Sequence, residues 1–167
     1  ISEGITFIKK LRGKFSIFYL HKHKKEGLLI RDRLGQKPMY YKKTPDSLSF
    51  SSNLISLINI ENNYKIDEHQ LLNYLNFGIV SSPDTLFQQY KKLLPGNFIE
   101  FNYSNGVFSK KLTNYWSTED YVESNKFNKD HFFNIFKESV NLRNMADVPI
   151  ANFLSGGIDS TSIVKSL

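Results

Sequence analysis

Aromatic and β-branched side chains crowd residues 14–21, and the polar stretch Lys24-Lys25-Glu26-Gly27 separates them from a second apolar run over 28–32. The pattern predicts two antiparallel strands with their turn at those four residues. Met39-Tyr40-Tyr41, a turn at Thr44-Pro45-Asp46-Ser47 and the run 48–52 predict a second hairpin. Leu54, Ile55, Leu57 and Ile58 suit a short helix over 53–60. Asp67 is a good N-cap for a second helix through Tyr74, with Leu71, Leu72 and Leu75 expected on its buried side and Gly78 at its end. Residues 81–84 (Ser-Ser-Pro-Asp) read as a loop. Leu93-Leu94-Pro95-Gly96 is a turn that feeds a strand over 97–103, with Phe98 and Glu100 on one face and Ile99 and Phe101 on the other. Ser104-Asn105-Gly106 is predicted to close a hairpin onto 107–112.

The pattern then changes. Residues 117–129 are polar without periodicity and read as a linker. Asp130 is predicted to cap an amphipathic helix running to Arg143 that buries Phe132, Phe133, Phe136 and Val140. The apolar run 148–154 is predicted to be a strand that opens into Ser155-Gly156-Gly157-Ile158-Asp159-Ser160 and a helix. The expected fold class is therefore α+β followed by α/β. The chain opens on Ile1 and closes at Leu167, a turn or two into that helix. A strand–loop–helix unit needs parallel neighbours, and none follow, so a piece of a longer protein is expected.

Composition narrows the class without naming a function. Hydrophobic residues make up 40% and charged residues 23%, ordinary for a soluble globular protein. No apolar stretch reaches membrane-spanning length and no signal-peptide pattern opens the chain. With no cysteine there is no disulfide, thiolate metal site or cysteine nucleophile in these residues, and a cytoplasmic location is expected. The net charge of +6 comes from 22 Lys and Arg against 16 Asp and Glu. These are dispersed, and the densest run, His21-Lys22-His23-Lys24-Lys25, reads as a solvated hairpin tip, so neither a nucleic-acid nor a membrane partner is expected.

The Ser-Gly-Gly segment carries the chemistry. Glycines lack Cβ atoms, so backbone N–H groups can approach an anion there, and the following helix aims its free N–H groups and positive dipole end at the same place. Ser155 and Ser160 add hydroxyl donors. Asp159 would repel phosphates unless a cation lay between, and so reads as a Mg²⁺ ligand. A ligand-free glycine turn does not require Ser, Asp and Ser at these places.

Ser155-Gly156-Gly157-Ile158-Asp159-Ser160 resembles the pyrophosphate loop of the ATP pyrophosphatases, a motif shared by GMP synthetase, NAD synthetase and tRNA-thiolating enzymes. The upstream residues narrow the resemblance. Arg12-Gly13-Lys14-Phe15-Ser16-Ile17 and the run from Arg31-Asp32-Arg33-Leu34-Gly35-Gln36 to Lys37-Pro38-Met39-Tyr40-Tyr41 resemble the glutaminase domain of glutamine-hydrolysing asparagine synthetases. So do Phe50-Ser51-Ser52-Asn53-Leu54, with Asn53 where that family usually has Glu, Lys92-Leu93-Leu94-Pro95-Gly96-Asn97-Phe98, Tyr115-Trp116 and Asp147-Val148-Pro149. The resemblance implies the C-terminal part of an antiparallel-sheet, N-terminal-nucleophile (class II glutamine amidotransferase) domain over 1–116, a linker over 117–129, and the first strand–loop–helix of an ATP-pyrophosphatase domain over 130–167. It implies a ligase with the small-molecule substrates aspartate, glutamine and ATP. ATP and Mg²⁺ convert aspartate to β-aspartyl-AMP, and ammonia from glutamine displaces AMP. By the family pattern Leu154 lies against the adenine nucleotide, Ser155, Gly156, Gly157 and Ser160 hold phosphates, and Asp159 positions the metal. That family's glutaminase nucleophile is an N-terminal cysteine. None is present here, so these residues alone are expected to be inactive, with no catalytic residue among them. A homodimer is left open for the whole protein. Two alternatives also stay open: a related amide-bond former, such as a β-lactam synthetase or a peptide cyclase, and a non-catalytic relic.

Other polar residues have plainer readings. Arg31, Asp32 and Arg33 are expected to form a strand-end ion-pair network. His21 and His23 share a strand face, with lysines interleaved and no carboxylate near in sequence to complete a metal site. His69 and His131 read as surface residues, and Tyr115-Trp116 as packing at the domain junction.

Overall fold

Leu28, Leu29 and Ile30 form an unbroken apolar run, and a strand built from them needs cover on both faces. They lie in β2 (Glu26–Arg31), inside a four-stranded antiparallel sheet of order β1-β2-β6-β7 with β1 (Ser16–His21), β6 (Asn97–Ser104) and β7 (Val107–Asn114). A three-stranded antiparallel sheet of order β4-β3-β5 comprises β3 (Tyr40–Lys43), β4 (Leu48–Ser51) and β5 (Lys91–Lys92). The computed structural model describes residues 4–62, 64–104, 107–121 and 127–167. They fall into two compact units, Ile1–Tyr121 and Val122–Leu167.

In the first unit the alternation along β6 sends Phe98 and Ile99 into different cores. Ile99 and Leu29 meet Met39, Tyr41 and Leu93, which joins the two sheets face to face. Phe98 and Ile30 meet Ile8 and Tyr115 on the other face, where the 3₁₀ helix Gly4–Lys10 lies. A third cluster packs Leu57 and Ile58 of α1 (Leu54–Glu61) on Tyr90 and on the far face of the smaller sheet. Asn53 caps α1, its Oδ1 accepting from the Ile55 N–H at 2.9 Å. The short amide suits this cap, which a longer Glu side chain would make less well.

The first hairpin turns two residues earlier than its composition predicts. The turn occupies residues 22–25, with Lys25 at φ 54°, and Gly27 lies inside β2. A Cβ on Gly27 would stand 2.2 Å from the Phe101 ring and 2.5 Å from the Tyr19 carbonyl oxygen, so this glycine serves cross-strand packing rather than turning. The second hairpin closes as predicted, the Thr44 N–H donating to the Ser47 carbonyl at 3.0 Å. Ser104 pairs with Val107, while Asn105 and Gly106 of the predicted third turn lie outside the described residues.

α2 (Glu68–Phe77) starts at Asp67, whose Oδ1 accepts from the His69 and Gln70 N–H groups, and ends at Gly78 in the left-handed conformation. Its apolar side is not buried as predicted: Leu72 is 57% and Leu75 70% exposed. Periodicity shows which side of a helix seeks cover, and no element among the described residues supplies it. The segment after β7 carries a 3₁₀ turn, Thr118–Tyr121, and residues 122–126 of the predicted linker lie outside the described residues.

The second unit contains α3 (Lys129–Asn141) and α4 (Ile158–Lys165). Asn128, rather than Asp130, caps α3, its Oδ1 accepting from the His131 N–H at 2.9 Å. Phe132 and Phe133 are exposed and Phe136 and Val140 half-buried, so the predicted burial of this face is not found. The apolar sides of α3 and α4 instead line an open cavity of about 270 Å³, reached by Phe136, Val140, Ile150 and Ile163. Residues 148–154 form no strand. A strand exists through its ladder, and no described residue pairs with this run.

Candidate functional site

Gly156 makes the bend that opens the loop, at φ +82°, where a side chain would be strained. Gly157 follows at φ −73° and ψ 163° as the N-cap of α4, with no side chain capping the helix. The other three α-helices among the described residues each begin under a side-chain cap, from Asn53, Asp67 and Asn128. The first N–H groups of α4 are therefore left to an external acceptor. The helix brings Ser160 back over the loop, so that the Ser155 and Ser160 hydroxyls lie 3.0 Å apart. Ser160 Oγ donates to the Gly157 carbonyl at 3.1 Å, and with that proton committed Ser155 is the donor of the pair.

A Cβ on Gly157 would point at these hydroxyls, 3.6 Å from Ser155 Oγ and 4.0 Å from Ser160 Oγ. Its absence keeps the space above both oxygens open. Asp159 lies exposed in the first turn of α4, and no hydrogen bond or ion pair from the described residues holds its carboxylate. Among the described residues no group of three His, Asp or Glu side chains is placed to hold a metal by itself. Leu154, at the entry to the loop, is 59% exposed and Phe153 fully so, which leaves apolar surface beside the hydroxyls. The structure thus gathers Ser155, Gly157 and Ser160, places Asp159 and Leu154 at their margin, and provides hydroxyl and N–H donors facing solvent.

The Arg31-Asp32-Arg33 cluster is not the predicted ion-pair network. Asp32 is 1% exposed and accepts three backbone N–H groups, from Leu34 at 3.2 Å, Gln36 at 2.9 Å and Lys37 at 2.9 Å. Arg31 donates to the carbonyls of Lys37 at 3.0 Å, Gly35 at 2.7 Å and Leu93. Burial lowers the Arg31 pKa, partly offset by the neighbouring Asp32 carboxylate. Arg33 donates to the Lys9 carbonyl at 2.7 Å. These charges hold loops together through the backbone, within the 34–37 loop and, through Arg31 and Arg33, to the distant Leu93 and Lys9 carbonyls. Gly96 joins the hub: its N–H donates to the Asp32 carbonyl, and its own carbonyl accepts from Tyr115 and Trp116. A Cβ there would stand 2.3 Å from the Trp116 carbonyl oxygen.

Tyr115 closes the hub, its hydroxyl donating to the Arg31 carbonyl at 2.8 Å. Burial first, then the Asp32 carboxylate, pushes its pKa from 10 up to about 12, against a smaller opposing effect of Arg33. Below pH 10 the phenol is protonated whether the chain is folded or not. Between 10 and about 12 the unfolded chain ionises first, so the stabilisation is lost as pH rises through that window. Tyr115→Phe is expected to flatten this loss relative to the native protein, measured as urea midpoints at about pH 9 and about pH 11. Equal alkaline slopes for the two proteins would refute the assignment.

His21 Nδ1 accepts from the Lys24 N–H at 3.3 Å, and the His21 and His23 rings sit edge to face 6.3 Å apart. His69 and His131 are exposed, as expected.

Residues 1–116 match the family model described as glutamine amidotransferase domain. The chain belongs to the glutamine amidotransferase domain family. Residues 131–167 match the family model described as asparagine synthase. The match to two families in this order agrees with the sequence resemblance. Asparagine synthetase (glutamine-hydrolyzing) 1 of Bacillus subtilis is 34% identical over 156 residues, which cover 93% of this chain and 24% of that protein. Asparagine synthetase (glutamine-hydrolyzing) 2 of the same organism is 27% identical, over 96% of this chain and 23% of its own length. A Gibberella zeae protein, Amidase chry2, is also 27% identical, over 96% of this chain and 24% of its own length. The chain spans about a quarter of the length of these relatives. Its mixed α and β structure with antiparallel sheets fits a glutamine amidotransferase domain followed by the start of an asparagine synthase domain. Among the described residues no helix is long and apolar enough to cross a membrane.

Proposed function

We propose that the protein containing this chain is an ATP-dependent carbon–nitrogen ligase of the asparagine synthetase type, which amidates aspartate with ammonia taken from glutamine. In this reading 1–116 is the C-terminal part of an N-terminal-nucleophile glutaminase domain, 117–129 a linker, and 130–167 the start of the synthetase domain. The observation that carries it is the loop: two serine hydroxyls and an uncapped helix start converge on a space that Gly157 keeps open. The two facing antiparallel sheets, with helical layers outside them, support the glutaminase half.

The donors at the loop fit a nucleotide's phosphates. Ser155, Gly156, Gly157 and Ser160 would hold phosphate oxygens, Leu154 would lie against the nucleoside, and Asp159 would hold Mg²⁺ jointly with those oxygens. The metal, when bound, supplies charge neutralisation for the departing pyrophosphate. The chain's own part is preorganisation. The N–H groups at the start of α4 are aimed before substrate arrives, so they need no rearrangement as negative charge grows on the leaving group. To donate to phosphate, Ser155 would turn its hydroxyl from Ser160, and Ser160 its own from the Gly157 carbonyl. The aspartate β-carboxylate attacks the α-phosphorus, pyrophosphate leaves, and ammonia then displaces AMP from the acyl carbon. With no cysteine among these 167 residues, ammonia release from glutamine requires residues outside them, and the stretch alone is inactive.

The full-length protein is expected to exchange labelled pyrophosphate into ATP only when aspartate and Mg²⁺ are both present. Absence of exchange with any carboxylate would overturn the reading. Exchange supported by a different carboxylate would move the assignment to a related amide-bond former, a reading that the similarity to a protein named an amidase favours.

A further inference from the structure

The two sheets of the first unit end on the same side. β1 and β4 are the outermost strands there, and the Phe18 ring of β1 lies 4.5 Å from the Phe50 ring of β4. Phe18 also stacks on Phe101 at 6.1 Å across Gly27, whose lack of a side chain leaves the way clear. This aromatic row belongs to the face between the sheets, yet at its end Phe18 is 45% and Leu20 41% exposed.

The main chain of β1 is open on that side as well. The Phe15 carbonyl accepts from the Asp32 N–H at 3.0 Å, which continues the β1–β2 ladder. Odd-numbered residues of β1 therefore turn their main-chain groups toward β2, and Ser16, Phe18 and Leu20 turn theirs away from it. Among the described residues no strand pairs with these outward groups. Nor is the edge guarded. Residues 15–20 contain no charge and no proline, whereas β7, the opposite edge of the same sheet, carries Lys110 and Lys111 at its middle. Exposed apolar side chains beside unpaired main-chain groups fit an extended segment, because a strand offers donors and acceptors repeating every two residues, about 6.8 Å.

We propose that β1 receives a further β-strand, apolar at alternate positions, supplied by the same protein from outside these 167 residues. The proposal rests on the reading of 1–116 as the C-terminal part of a glutaminase domain. The chain spans about a quarter of the relatives' length, so most of a protein of that size lies outside it. A strand tethered in the same polypeptide meets the edge at an effective concentration of about millimolar, well above that of a second copy. Its side chains cover Phe18 and Leu20, and its main chain satisfies the outward N–H and C=O groups of β1.

The test is amide hydrogen exchange of the full-length protein, read residue by residue. The Phe18 and Leu20 amides are expected to exchange about a hundredfold or more slower than in the unfolded chain. The Tyr115 N–H donates to the Gly96 carbonyl in the β6–β7 register, so Lys110 and Leu112 turn their amides outward and serve as the reference for an open edge. Exchange at Phe18 and Leu20 as fast as at Lys110 and Leu112 would overturn the proposal. A photoreactive leucine analogue at position 20 then identifies the source. A cross-link within one chain to a segment outside residues 1–167 is the expected product; a cross-linked dimer, a product confined to 1–167, or none would overturn it. Pyrophosphate exchange is read on the same preparation. Its absence alongside slow Phe18 and Leu20 amides and the expected cross-link would fault the ligase reading and keep the strand, whereas its presence alongside fast amides would fault the strand alone.

Discussion

Asp159→Ala in the full-length protein is expected to cut aspartate-dependent ATP–pyrophosphate exchange by about a hundredfold or more, with the folded structure intact. The carboxylate is exposed, and no described residue bonds to it, so folding makes little use of it. Its one structural contribution is a favourable charge in the first turn of α4, worth about 0.3–1 kcal/mol. The proposed use lies in the reaction, where it holds the cation that screens the phosphates from one another. The two roles separate experimentally: exchange should collapse while the thermal midpoint moves little. Exchange within about twofold of the native rate would refute Asp159 as the metal ligand. A fall in exchange matched by a fall in thermal midpoint would place the residue in the fold instead.

Asp32→Ala should have the opposite profile, a large loss of stability unrelated to the loop chemistry. The carboxylate is buried and satisfies three backbone N–H groups of the 34–37 loop. Hydrogen bonds to a charged group are worth about 1.5–3 kcal/mol each, and orphaned buried donors retain their desolvation cost. The bonds are not additive, and a net loss of about 3–5 kcal/mol is expected. Trp116, the chain's single tryptophan, bonds through its N–H to the Gly96 carbonyl of the same hub, so its fluorescence in urea reports the loss. Asp32→Asn should recover part of the stability, because one oxygen still accepts while the amide N–H₂ meets a backbone donor. An unchanged urea midpoint for Asp32→Ala would mean that the loop is held by other contacts.

Local chemistry was legible along most of the chain. Asp67 and Gly78 bound α2 as cap chemistry requires, and the hairpin at Thr44–Ser47 follows its turn residues. The alternation along β6 correctly separates Phe98 from Ile99. Where a rule of this kind erred, the competing cause was short-range or cross-strand. Asn128 outcompetes Asp130 as the cap of α3, and Gly27 yields the turn to Lys25 because Phe101 needs the space above it.

The sequence by itself was enough to place the family, through motifs at fixed short spacings over 1–116, and to single out Ser155, the two glycines, Asp159 and Ser160 as a donor-rich loop. Only the tertiary structure decided that Ser160 folds back to within 3.0 Å of Ser155, and that α4 alone among the described helices starts without a side-chain cap. It also decided the partners of Arg31 and Asp32. Adjacent opposite charges suggest an ion pair, but Arg31 donates to Leu93, 62 residues away, and Asp32 accepts from the backbone of its own loop. Burial favours such arrangements because each desolvated charge needs several fixed partners, and nearby carbonyls and N–H groups supply them. The apolar stripe of α2 and the run 148–154 show the converse. Periodicity states which surface seeks cover, whereas the cover itself is a property of the packed chain.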